Sequence, residues 1–202
     1  AALSDPQATL LILCNPHNPV GKIWDRETLL RITELCIKHS VLVLSDEIHC
    51  DLTDPGKEYI PYASVSPEAA QISITCVAPT KAFNLAGIQS SAVIVPNPAL
   101  RHRVWRALNT DEVGEASILG ALAPAAAFKQ GGAWLDAMRA YVYENKQYVR
   151  RFIAENLPQI TVIPSEATYL LWMDCRRISE DSTRLASFLR QHTGLILVNG
   201  AG

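Results

Sequence analysis

The sequence lacks the short signatures of a metal site or a disulfide framework. Its five cysteines, Cys14, Cys36, Cys50, Cys76 and Cys175, form no CxxC pair and their number is odd. That argues against a structural zinc site and fits the reduced thiols of a cytoplasmic protein; no metal is expected. Long hydrophobic runs are missing as well. Residues 9–14 and 41–44 are strand-sized, far short of the roughly 20 apolar residues of a membrane span. The apolar stretch 118–128 is rich in Ala and ends at Lys129, so it reads as a buried helix. Charge of one sign is scarce too: 18 Lys and Arg face 20 Asp and Glu, a formal net charge of −2. This leaves no electrostatic footprint for nucleic acid or an anionic membrane. Of the 202 residues, 49% are hydrophobic and 19% charged, which argues against disorder. No repeat, low-complexity segment or signal peptide is visible. The chain opens Ala1-Ala2-Leu3-Ser4-Asp5 without Met and stops at Gly202, just after a strand-like run, so a piece of a longer protein is expected.

What is present is an alternation of strands and helices. Residues 9–14 are a continuous apolar run, the pattern of a strand buried on both faces. A turn-rich loop follows to Gly21. Asp25 is a suitable N-cap and Glu27 suits the first turn of a helix that runs to about His39. Strands are then expected at 41–44, 71–77 and 91–95, with a proline-rich loop over 53–67. Short connections in this order imply parallel pairing. The second half predicts helices over 98–108, 113–129, 133–156 and 182–192, with strands at 160–163, 168–173 and 195–198. Gly131-Gly132 breaks the pattern. The chain therefore divides into an α/β region, residues 1–130, and a smaller α+β region, residues 131–202.

Ligands of open parallel sheets bind beyond the carboxyl ends of the strands. Three such ends supply Asn15 and Asn18, then Asp46 and His49, then Thr80 and Lys81. An amide, a carboxylate, an imidazole and an amine thus converge on one sheet edge. Each alone has a plain reading: a lysine in a turn is usually solvated, and an asparagine between prolines is a turn residue.

The segments that carry these residues are more specific. They are Asn15-Pro16-His17-Asn18-Pro19-Val20-Gly21, then Ser45-Asp46-Glu47-Ile48-His49, then Ala78-Pro79-Thr80-Lys81-Ala82-Phe83-Asn84-Leu85-Ala86-Gly87. In this order they resemble the fold-type-I pyridoxal-phosphate enzymes of the aminotransferase class I/II superfamily. Within these, His17 and His49 point to the MalY/PatB-type cystathionine and cysteine-S-conjugate β-lyases. Gly131-Gly132-Ala133-Trp134 and Ala167-Thr168-Tyr169-Leu170-Leu171-Trp172 look like the small domain of that branch. The resemblance covers essentially the whole chain. It implies the second half of a mainly parallel large domain, followed by most of a small α+β domain.

The resemblance also implies roles. Lys81 would hold pyridoxal 5'-phosphate covalently and act as general base on the substrate α-carbon. Asp46 would face the pyridine nitrogen, which makes the ring an electron sink. Asn18 and His49 would bond the phenolic oxygen, and Thr80 the phosphate. The region after the lysine, Gly87-Ile88-Gln89-Ser90-Ser91, lacks the Arg with which many members grip the phosphate. The implied activity is β-elimination from cystathionine or an S-substituted cysteine, giving pyruvate, ammonia and a thiol, in a homodimer. An aminotransferase on the same scaffold is the alternative, and a non-catalytic regulatory domain is a third. The 202-residue chain alone is expected to be inactive.

Overall fold

A computed structural model describes residues 2–200 of the chain. Its centre is a four-stranded sheet in the order β1-β2-β3-β4, formed by Leu10–Cys14, Leu42–Asp46, Ser73–Val77 and Ala92–Ile94. The first three strands are parallel, with Leu10 opposite Leu42 and Val43 opposite Ser73. The fourth departs from the parallel expectation. It runs antiparallel to β3, with Cys76 opposite Val93. The stretch between β3 and β4 holds turns and one 3₁₀ turn, Ala86–Ile88, but no α-helix to carry the chain across a sheet face, as a parallel return usually requires.

One sheet face is closed by α1 (Arg26–Lys38) and α2 (Pro67–Ile72). Asp25 caps α1 by accepting from the Thr28 N–H at 2.7 Å, as its sequence position predicts. Helical spacing then places Leu29, Thr33 and Cys36 against the sheet, where they join Leu13, Val41, Val43, Tyr62, Val65 and Ala69 in one core. The Tyr62 hydroxyl lies 2.8 Å from Thr33 Oγ1, and Thr33 donates to the Leu29 carbonyl, so the buried hydroxyls are satisfied. α2 falls where loop and strand were expected. Ser66 caps it and Pro67 starts it, but six residues are too few for a helical period to show.

The other sheet face is open at β1, where Leu10 is 45% and Ile12 66% exposed. The expected burial on both faces of this strand is therefore not met in this chain. The second half builds α3 (Pro98–Thr110), α4 (Ile118–Gln130), α5 (Gly132–Asn156) and α6 (Ser182–Thr193). A two-stranded antiparallel sheet pairs β5 (Thr161–Val162) with β6 (Met173–Asp174). The expected strand over 168–173 shrinks to its end because Thr168 turns away to bond Leu52, and Ala167 forms a bridge with Thr53. The strand expected at 195–198 does not form: no described strand pairs with it, and Val198 is fully exposed. Among the described residues no helix is long and apolar enough to cross a membrane.

Candidate active site

The three strand ends singled out in the sequence lie in one row. Cys14, Asp46 and Cys76 are register partners. Beyond them the Asn15 N–H donates to the Asp46 carbonyl at 3.0 Å and the Glu47 N–H to the Cys76 carbonyl at 2.9 Å. The edge is thus stitched together at the point where the chain leaves the sheet.

The loop after β1 is closed on itself. The His17 N–H donates to the Lys22 carbonyl, and the Gly21 N–H to the His17 carbonyl. Asn15 is fully buried and ties this loop to its neighbours. Its amide donates to the Ile60 carbonyl at 2.9 Å and its oxygen accepts from the Trp24 N–H. The Asn18 N–H reaches the Cys14 sulfur, while the Asn18 residue itself stays exposed at the rim. Gly21 has φ +76°, and a Cβ there would collide with the Ala167 carbonyl oxygen and lie 2.8 Å from Ser165 Cβ. Only glycine fits this close approach, which seats the Asn18 loop on segment 165–167.

Alternation along β2 sends successive side chains to opposite faces. Val43, Ser45 and then Glu47 turn to the closed face, and Asp46 to the other. Glu47 is buried and accepts three bonds, from Ser45 Oγ, the Tyr62 N–H and the Tyr59 hydroxyl. Burial pushes its carboxyl above the ordinary carboxylate range, against these bonds. Asp46 is half-buried and accepts from the Ile48 N–H at 3.3 Å. His49 is 2% exposed, yet neither ring nitrogen has a hydrogen-bond partner. Burial holds its pKa below 6.5, the nearby Lys81 charge lowers it further, and Asp46 pulls it up. The three groups therefore share one electrostatic neighbourhood.

Lys81 sits in the turn after β3, between buried Pro79 and Ala82. The turn is held by the Phe83 N–H on the Pro79 carbonyl and the Leu85 N–H on the Thr80 carbonyl. Lys81 and Thr80 are half-buried, and among the described residues their side chains make no hydrogen bond. The site thus offers a free amine, a carboxylate with one unbonded oxygen and an imidazole with two unbonded nitrogens. Unpaired buried imidazole is costly unless a ligand completes it.

A sequence profile of the aminotransferase class I and II family matches residues 1–202, the entire chain. The chain belongs to the aminotransferase class I and II family. Among its members, cystathionine beta-lyase PatB of Bacillus subtilis is 44% identical over 172 residues, which is 85% of this chain and 44% of PatB. Protein MalY of Escherichia coli is 30% identical over 201 residues, 99% of this chain and 51% of MalY. The crystal structure of cystalysin from Treponema denticola, which contains a pyridoxal 5'-phosphate cofactor, superposes with a TM-score of 0.92 at 33% identity. It covers 98% of this chain and 50% of cystalysin. The chain therefore spans about half the length of the family members it matches.

Four features near the strand ends are given no role by the motifs, although Glu47, Thr168 and Tyr169 lie within them. Glu47, beside Asp46, is a core acceptor and not a solvated strand end; its place in the period-two series with Val43 and Ser45 was the available signal. Asp54 and Lys146 form a buried ion pair at 2.5 Å, across 92 residues of sequence that no local pattern spans. Thr168 adopts φ +66°. Tyr169 places its ring 5.8 Å from that of His49.

Proposed function

We propose that the full-length protein is a pyridoxal-phosphate-dependent carbon–sulfur β-lyase. It would cleave cystathionine or S-substituted cysteines to pyruvate, ammonia and a thiol. The observation that carries this reading is His49: a buried imidazole with two unbonded nitrogens, beside the Lys81 amine and the Asp46 carboxylate. The similarity to PatB, 44% identical over 172 residues, supports the substrate class.

The residues present fit the cofactor. Bound pyridoxal phosphate supplies an electron sink for the pair left at the substrate α-carbon. The Lys81 amine would hold the cofactor and take the α-proton, for which its freedom from other bonds suits it. The Asp46 carboxylate would keep the pyridine nitrogen protonated through a charge-assisted bond. A ring nitrogen of His49 and the Asn18 amide would bond the phenolic oxygen, and the Thr80 hydroxyl would donate to the phosphate. Glu47 holds the strand end beneath Asp46 through its bonds to Tyr59 and Tyr62.

We divide the chain at Gly131, the joint of α4 and α5. Residues 1–130 then belong to the large domain and residues 131–202 to the small domain. We further infer a homodimer, in which the remainder of each chain completes the site, and a cytoplasmic protein, in keeping with five free thiols. The test is to feed cystathionine to the full-length protein without any 2-oxo acid. Sustained release of pyruvate is expected. Turnover that requires an added 2-oxo acid would make the protein an aminotransferase instead.

A further inference from the structure

Outside the strand-end cluster, the most completely built polar site is the Lys146 pair. Lys146, midway along α5, is 3% exposed, and its ammonium lies 2.5 Å from Asp54 Oδ1. The same ammonium donates to the carbonyl oxygens of Ala167 and Thr168, at 3.4 and 3.3 Å. Three protons thus meet three acceptors. Arg139 and Arg150 share that face of the helix and grip the same two segments. Arg139 donates to the carbonyl and hydroxyl of Thr53, and Arg150 to the carbonyl and hydroxyl of Ser165. Segments 52–54 and 165–168 also bond each other, through the Asp54 N–H on the Glu166 carbonyl and the Thr168 N–H on the Leu52 carbonyl.

Stability alone explains such a pair poorly, since burying two charges costs about as much as their attraction returns. What the pair holds is more telling. Thr168 has φ +66°, a conformation that a β-branched residue avoids, and it is fully buried. Its N–H and its carbonyl are both pinned, by Leu52 at 2.7 Å and by Lys146. Strain over-determined by its surroundings marks functional positions. Here it delivers Tyr169, whose ring meets His49 at 5.8 Å while 42% of the residue stays exposed. A half-exposed phenol beside the imidazole of the site is placed to meet a substrate.

We propose that Tyr169 is a specificity-determining residue that takes the thioether side chain of the substrate against its ring, and that Lys146 is its positioning residue, acting through Asp54 and the Thr168 carbonyl. Sulfur packs favourably against aromatic rings, which suits a thioether better than a small leaving group. The inference rests on the strand-end cluster being the cofactor site of a lyase.

The test uses the full-length holoenzyme with two substrates, S-ethylcysteine and β-chloroalanine, the second of which has no thioether. Tyr169→Ala raises KM for S-ethylcysteine about tenfold and changes β-chloroalanine by less than about twofold, with the cofactor absorbance intact. Tyr169→Phe keeps the ring and restores the wild-type KM. Lys146→Met combined with Asp54→Leu leaves no unpaired charge. It reproduces the KM effect and speeds amide hydrogen exchange across residues 165–170, with α1 unchanged. Adding Tyr169→Ala to that pair costs nothing more. Should the pair fail to fold, Lys146→Gln gives the same exchange comparison. Equal losses on both substrates, multiplied losses in the combined variant, or unchanged exchange at 165–170 would each overturn the proposal. Failure of the wild-type enzyme to release pyruvate from either substrate would instead sink the lyase reading, while the exchange measurement still decides whether Lys146 holds Tyr169.

Discussion

Glu47 and Asp46 are chain neighbours with opposite environments, because a strand sends alternate side chains to opposite faces. Glu47 is an acceptor inside the closed core, with a Tyr62 amide bond of 2.9 Å that joins the sheet tip to the Tyr62 turn. Glu47→Ala leaves Ser45, Tyr59 and the Tyr62 N–H short of a partner, and is expected to cost on the order of 3 kcal/mol in denaturant unfolding. Glu47→Gln keeps one acceptor oxygen and costs less; equal losses would contradict the role of the carboxyl as acceptor. His49 gives a pH signature. Burial first, and the Lys81 charge second, hold its pKa below 6.5, so the unfolded chain takes up this proton at a higher pH than the folded one. Its contribution is intact above 6.5 and is lost as pH falls from there through the folded value. Glu47, whose pKa is raised, acts with the opposite sign as pH rises past 4.5. The comparison is therefore between variants. Without added cofactor, wild-type protein loses more unfolding free energy between about pH 7 and pH 5 than His49→Asn does. Equal slopes would show that His49 is not held neutral.

At the scale of elements, signals confined to one stretch of chain were legible and signals that need a partner were not. The Asp25 cap of α1 and the apolar runs of β1 and β2 were readable in place. Asp25→Ala is accordingly expected to cost about 1 kcal/mol in thermal or denaturant unfolding, without changing cofactor binding. An unchanged midpoint would remove the cap from the account. The direction of β4 depended on a connection that forms turns and no crossover helix, and the loss of a strand at 195–198 on the lack of a pairing edge. The site divides in the same way. Asn18, Asp46, His49, Thr80 and Lys81 sit in specific motifs that follow adjacent strands, and His49 shares an electrostatic neighbourhood with Asp46 and Lys81. Lys146 meets Asp54, and Tyr169 meets His49, across more than 90 residues of sequence, which no local pattern announces. Gly131 shows how tight that return is. A Cβ there would lie 2.5 Å from both the Ala127 carbonyl oxygen and Phe83 Cε1, next to the Lys81 turn.

At the scale of the molecule, the chain spans about half of the relatives it matches, and the open face of β1 leaves Ile12 66% exposed. The remaining chain is expected to cover that face and complete the cofactor cage. The purified 202-residue chain should therefore show no pyruvate release from cystathionine under conditions in which the full-length protein turns over. The central claim is that Lys81 carries the cofactor among Asp46, His49 and Asn18. Its most direct test is to reduce the full-length holoenzyme with borohydride, which fixes the cofactor to its lysine, and to map the labelled peptide by mass spectrometry. The label is predicted on Lys81 alone; a label on any other lysine, or none, would contradict the account.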